Sequence, residues 1–221
     1  MTGRPLQFAS GRTLAIDCAT KACSVALFEN DSLIGGELRM LGRGHAEALI
    51  PMIASLPERG WAQRIVVSLG PGSFTGVRVG LAAARALALA WGSELTGYSS
   101  LTLMAAMAHE MHGARPVGVA MTGGHGEWFI QGFDAQGSQS RPLASLRPEA
   151  AVAATTEEIV VGDQAEALVA ARGSGQAVAL WPDACAVRLL PPSALLAETR
   201  PLYGRAPDAR LPVGTSSAPP A

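Results

Sequence analysis

Seven consecutive residues, Gly70-Pro71-Gly72-Ser73-Phe74-Thr75-Gly76, form the sharpest candidate for chemistry in this 221-residue chain. A glycine-rich turn that feeds a helix offers backbone N–H groups and the positive end of a helix dipole, which suit an anion. No lysine follows to hold a phosphate, so the plainer reading leads: the glycines permit a tight turn and a close helix. Two further segments invite a ligand. Asp17 closes an apolar run and is followed by the polar turn Cys18-Ala19-Thr20-Lys21. An acid there can handle a metal and water beside a phosphate, although a strand-terminal Asp is also common in turns. Thr122-Gly123-Gly124-His125-Gly126 lies between two apolar runs, where Gly123 and Gly124 could admit a ligand or simply turn a hairpin.

Metal and nucleophile patterns are weaker. His109 and His112 stand three apart on a predicted helix, without the His-Glu-x-x-His spacing or an evident third ligand. His45 beside Glu47 reads as an end-of-helix residue. Ser73 lacks the Gly-x-Ser-x-Gly frame, because Thr75 occupies the last position. Cys18 and Cys23 have no positioned His, and Asp163 reads as a turn or cap.

The helix after the glycine-rich turn places Gly76, Gly80, Ala84 and Ala88 at every fourth residue, one face of nearly bare backbone. Glycine inside a helix costs about 1 kcal/mol relative to alanine, so Gly80 needs a packing reason. Either this strip packs inside the molecule, or it forms a subunit interface with the helix carrying Ala46, Leu49, Ile50, Ile53 and Ala54.

Composition narrows the classes. Apolar residues make up 48% and charged residues 16%, enough for a core. Seventeen basic against eighteen acidic side chains leave a net charge of −1, so overall charge encodes no nucleic-acid grip. Lys21 is the sole lysine and follows no glycine, which excludes a P-loop. Cys18, Cys23 and Cys185 form an odd set without a Cys-x-x-Cys pair, against a secreted disulfide framework or a zinc knuckle. The first eleven residues hold no apolar signal core. The longest apolar-rich run, residues 77–91, is broken by Arg78 and Arg85, so no membrane segment is expected. A cytoplasmic protein is the expectation.

These residues need a scaffold. Strands are predicted at 13–18, 23–29 and 32–40, a meander joined by tight turns. A helix follows with Pro51 inside its apolar stripe, predicting a kink or a late start. Then come a strand at 64–69, a helix at about 76–91 capped by Ser73 or Thr75, and a helix at about 101–112. This order is that of a ribonuclease-H-like α/β lobe. A smaller α/β lobe is predicted from 116 to 203, with strands at 117–121, 127–133, 159–162 and 177–181 and a helix at 164–171. Residues 1–12 and 204–221 read as tails around lobes 13–115 and 116–203.

Leu14-Ala-Ile-Asp-Cys-Ala-Thr-Lys-Ala-Cys-Ser-Val-Ala-Leu27, His45-Ala-Glu-Ala-Leu-Ile-Pro-Met52, Gly70-Pro-Gly-Ser-Phe-Thr-Gly-Val-Arg-Val-Gly-Leu81 and Gly97-Tyr-Ser-Ser-Leu101 together resemble the bacterial TsaB (YeaZ) family. The match covers roughly residues 13 to 110 and thins afterwards to Ile159-Val-Val-Gly-Asp163 and Pro201-Leu-Tyr-Gly-Arg205. The resemblance implies a two-lobed actin/Hsp70/sugar-kinase fold with a reduced second lobe. It implies a non-catalytic partner in tRNA threonylcarbamoyladenosine synthesis, pairing with the catalytic paralogue TsaD and joined by the ATPase TsaE. It also implies a homodimer when alone, tRNA met only through the complex, and no membrane. Pairing through the two helices favours the interface reading of Ala46, Leu49, Ile50, Ile53, Gly76, Gly80, Ala84 and Ala88. No metal and no firm cofactor are expected; ATP or ADP would sit in the partner or at the partner interface. In an actin-like fold, Asp17, Thr20, Gly123 and Gly124 would mark a vestigial nucleotide site. This chain has Met121-Thr-Gly-Gly-His-Gly-Glu127 where the family often has Asp-Ala-Arg-x-Gly-Glu. A competing reading is an enzyme active alone, an actin-like kinase or a glycoprotease.

Overall fold

The computed structural model describes residues 11–202 and 204, so the expected tails 1–12 and 204–221 lie almost wholly outside the described residues. Strands β1 (Arg12–Asp17), β2 (Ala22–Glu29) and β3 (Ser32–Met40) form the expected antiparallel meander. β4 (Arg64–Ser68) and β5 (Glu94–Tyr98) add in parallel, giving the order β3-β2-β1-β4-β5. Parallel neighbours need crossovers, and helices α1 (His45–Ser55) and α2 (Phe74–Trp91) supply them. α3 (Ser100–His112) follows β5.

The first sheet is covered on both faces, which is why β1 and β2 are apolar almost throughout. Leu14, Ile16, Val25 and Leu27 face α1 and α2, whereas Ala15, Ala26 and Phe28 face α3. α3 is apolar on two sides. Leu103 enters the core under the first sheet, while Leu101, Met104, Ala105 and Ala108 pack on the second.

The second sheet contains β6 (Val117–Thr122), β7 (Trp128–Phe133), β8 (Gln139–Leu146), β9 (Ile159–Val161) and β10 (Gln176–Val178), in the order β10-β9-β6-β7-β8. Counted within its own lobe, this is again third-second-first-fourth-fifth, with the first three strands antiparallel and the last two parallel. Two such ribonuclease-H-like sheets make the actin/Hsp70/sugar-kinase architecture. The second lobe keeps all five strands and is reduced in the length of its later elements. What shrinks are β9 and β10, three residues each, and the helices α4 (Pro148–Ala154) and α5 (Ala165–Arg172), of seven and eight residues.

Two expectations are corrected. Residues 182–202 belong with the first lobe although they follow the second. The 3₁₀ turn Ala184–Leu189 buries Ala184, Val187 and then Leu190, a spacing of three that suits three residues per turn. Its entry is tied by the Ala184 N–H to Ser24 Oγ at 2.9 Å, and the Leu202 N–H reaches Leu69 O at 2.8 Å. Second, α1 runs unbroken through Pro51, which sits on its exposed side where water can serve the carbonyl left without a partner. α2 has the length and composition of a membrane span, with mean hydropathy 1.2 over 18 residues. Its inner side packs on the first sheet, and Arg78 and Arg85 lie on the exposed side.

Candidate functional site

The two lobes enclose a cleft of about 790 Å³ at the tips of the β1–β2 and β6–β7 hairpins, within the volume of small-molecule sites. From the first lobe it is lined by Ala19, Thr20, Lys21 and the segment Pro71, Gly72, Ser73 and Phe74, together with Val77 and Arg78. The second lobe contributes Met121, Thr122, Gly123, Gly124, His125, Phe129, Asp163 and Trp181. Thr20, Gly123 and Gly124 thus line one cleft.

Asp17 is not part of that wall. It is fully buried behind it, with Oδ1 accepting from the Ala19 N–H at 2.9 Å and Oδ2 accepting from Ser100 Oγ at 3.0 Å and Tyr98 Oη at 3.2 Å. Ser68 Oγ lies 2.5 Å from Ser100 Oγ and extends the network. Burial pushes the Asp17 carboxyl up to about 6, against the lowering effect of these hydrogen bonds. The predicted metal-handling acid is therefore an internal tie between β1, β5 and α3. Its burial follows from β1 being the central strand.

The glycine-rich loop is likewise committed to the fold. The Ser73 N–H donates to Ala19 O at 2.6 Å, and Ser73 Oγ caps α2 by accepting from the Gly76 N–H at 3.2 Å. A Cβ on Gly72 would stand 1.9 Å from Ala19 O, and one on Gly76 2.1 Å from Cys18 O. These glycines let a loop and a helix press against the first hairpin, with the Ser73 N–H spent on that hairpin and the Gly76 N–H on the Ser73 cap. In the second hairpin, a Cβ on Gly124 would meet nothing within 4 Å. Both Asp163 oxygens accept from Thr122, from its N–H at 2.7 Å and its hydroxyl at 2.6 Å.

The helical strip also turns inward. Gly76, Gly80 and Ala84 are buried, and a Cβ on Gly80 would stand 3.3 Å from Cys18 Cβ. Leu49 and Ile53 are buried as well, and Ala88 is half-buried. Of the eight residues expected at a subunit interface, only Ala46 and Ile50 are exposed. The strip exists because β1 ends directly beneath it. The opposite side of the same two helices carries exposed apolar residues: Ile50 at 50%, Leu89 at 88% and Phe74 at 59% exposure, with Pro51, Ala82 and Ala86. Leu89 and Trp181 escaped sequence reasoning, while Phe74 and Met121 lay in segments it quoted without being given a role. Arg78 and Arg85 could have marked the outer side of α2 and so pointed to Leu89.

Other candidates have structural roles. His45 Nε2 lies 2.9 Å from Thr20 O, and His109 Nε2 lies 2.9 Å from Arg115 O. Among the described residues no group of three or more His, Cys, Asp or Glu side chains could hold a metal.

A family model described as "TsaD: tRNA N6-adenosine threonylcarbamoyltransferase" matches residues 39–172. The "tRNA threonylcarbamoyladenosine biosynthesis protein TsaB" of Escherichia coli is 40% identical over 123 residues, 53% of this chain and 53% of that protein. The protein of the same description from Haemophilus influenzae is 40% identical over 114 residues, 49% of this chain and 48% of its own length. The match therefore spans about half the length of these curated relatives. Among solved structures, "YeaZ from Pseudomonas aeruginosa" superposes with a TM-score of 0.73 at 26% identity, over 88% of this chain and all of that one.

Proposed function

This chain belongs to the TsaB proteins, within the family described as TsaD: tRNA N6-adenosine threonylcarbamoyltransferase, and from that premise we propose that it acts in forming threonylcarbamoyladenosine on tRNA as a non-catalytic subunit. In this reading it works in the cytoplasm, away from any membrane. It pairs with a TsaD-like catalytic paralogue, supports a TsaE-like ATPase, and forms a homodimer when alone. tRNA is met through the assembled complex, and ATP or ADP sits in the partner or at the interface with it. The modified adenosine lies beside the anticodon of tRNAs that read codons starting with A.

The observation that carries this reading is the outer side of α1 and α2. Leu89 at 88% and Ile50 at 50% exposure lie on adjacent helices whose inner sides are already packed on the sheet. Large exposed apolar residues gathered on one side of a fold fit a protein partner. The interface proposed is thus Ala46, Ile50, Ala82, Ala86 and Leu89. It keeps Ala46 and Ile50 of the sequence reading and replaces the buried strip of α2 by that helix's opposite side. The test is reconstitution: the purified paralogue and TsaE-like ATPase are mixed with tRNA, with and without this chain. Modified tRNA should accumulate only when it is present, and equal product without it refutes the role.

The enzymatic alternative draws on the cleft, where Thr20, Gly123 and Gly124 converge. A kinase-like site would use Asp17 for the metal, and Asp17 is bound inward to Ser100 and Tyr98. Calorimetry with ATP and Mg²⁺ separates the readings. Micromolar binding by this chain alone, lost in Asp17→Ala but retained in Leu89→Asp, would favour the enzyme.

A further inference from the structure

Cys18 and Cys23 face each other across the β1–β2 hairpin. The register pairs Asp17 with Ser24, so the next step toward the tip opposes Cys18 and Cys23, with Thr20-Lys21 at the turn. Their Sγ atoms lie 3.5 Å apart, and neither takes part in the cleft wall or the proposed interface. Facing residues in antiparallel strands stand about 4.5–5.5 Å apart at Cα, inside the roughly 4.4–6.8 Å that a disulfide spans. The side chains therefore need rotation and no strand movement. α2 bears no side chain over the pair at Gly80, where a Cβ would stand 3.7 Å from Cys18 Sγ and 3.3 Å from its Cβ.

We propose that Cys18 and Cys23 are a dithiol modification site that a small neutral peroxide converts to an intramolecular disulfide across the first hairpin. Their burial sets the oxidant class: with exposures of 2% and 0%, a charged or bulky reagent has no approach, whereas hydrogen peroxide is little larger than water. The thiols are also unequal. The hydrogen bond with Cys23 and burial raise the Cys18 thiol above its ordinary value, and the same bond lowers Cys23. Cys23 is taken as the attacking sulfur, and the same balance holds with the two sulfurs exchanged. The Cys23 thiolate takes one peroxide oxygen, the O–O bond breaks, and the departing hydroxide leaves as water with the proton Cys23 gave up. Cys18 Sγ next attacks the Cys23 sulfenic sulfur. The S–O bond breaks, the S–S bond forms, and the second hydroxide leaves as water with the Cys18 proton. Two electrons pass from two thiols to one peroxide. Cys185 stands apart, in the 3₁₀ turn against β3, where a Cβ on Gly36 would meet its Sγ.

The experiment treats the reduced full chain with hydrogen peroxide and reads intact mass, then peptides after alkylation under denaturation. Expected is a mass loss of about 2 Da, a peptide link between Cys18 and Cys23, recovery with dithiothreitol, and the same product in Cys185→Ala. Cys23→Ser should lose the product entirely. Exposed Met111 reports that the oxidant has acted. The proposal is overturned if Met111 becomes the sulfoxide while both thiols remain fully alkylatable. It is equally overturned if Cys18 or Cys23 is found as a sulfinic acid or linked to Cys185. The wild-type and Cys185→Ala readings decide the matter even where Cys23→Ser fails to fold.

Discussion

The central strand of each lobe ends at the cleft, and the two ends differ. β1 closes on Asp17, whose carboxylate turns inward to Tyr98 and Ser100; β6, its counterpart, closes on Thr122, tied to half-buried Asp163 behind β9. The hairpin after β1 is packed by its own chain, with Gly72 and Gly76 against the carbonyls of Ala19 and Cys18. The hairpin after β6 keeps open space at Gly124. One strand order thus supports two kinds of tip, one filled with backbone and one open. Gripping a phosphate between two hairpins requires free backbone donors on both sides. In this molecule the Ala19 carbonyl of the first hairpin accepts from the Ser73 N–H, the Cys18 carbonyl packs against Gly76, and the Ala19 N–H is turned inward to Asp17.

The contrast can be broken most severely at Gly72. Gly72→Ala places a methyl 1.9 Å from a backbone carbonyl, and a loss of about 3 kcal/mol or more is expected in urea unfolding. A loss below about 1 kcal/mol would mean the first tip is not sealed. Asp17 gives an effect of similar size, read through pH. Its carboxyl moves from 3.8 to about 6 on folding, so the folded state holds the proton more tightly. That contribution is present in full below pH 3.8 and disappears as the pH rises through about 6, a loss of about 3 kcal/mol. In Asp17→Asn the pH dependence between these values should flatten by that amount relative to wild type; parallel curves would contradict the buried tie. In the second lobe, Asp163→Ala removes two hydrogen bonds at the cleft edge and should cost about 1 kcal/mol. Gly124→Ala meets open space and should stay within about 0.5 kcal/mol. A large loss there would erase the difference between the tips.

Much of the frame was legible because its signals are local. The three-strand meander follows from apolar runs and the Asn30-Asp31 turn, and Ser73 caps α2 as one of the two residues proposed. β8 escaped because it is an edge strand, partly exposed along most of its length and holding Pro142, so it lacks alternation. α4 is a short helix begun by Pro148. The return of residues 182–202 to the first lobe is a long-range fact, fixed by contacts such as Ser24 with Ala184. At the site, the small-residue spacing correctly announced a close approach and could not say to what. Gly80 approaches Cys18 within the same chain. Periodicity identifies a face, and only the position of β1 beneath it decides whether that face looks in or out. Asp17 shows the same limit: the sequence places an acid at a strand end, while the direction of its side chain depends on Tyr98 and Ser100, more than eighty residues away.

In the proposed reading the inner side of α1 and α2 builds the fold and the outer side receives a partner. Sedimentation of this chain with the purified catalytic paralogue tests it directly, comparing wild type with Ile50→Asp, Leu89→Asp and the double variant. Each single change should weaken association at least about tenfold, near 1.4 kcal/mol, and the double variant more, while urea unfolding stays within about 0.5 kcal/mol of wild type. A double variant that folds normally and binds the paralogue as tightly as wild type would contradict the account.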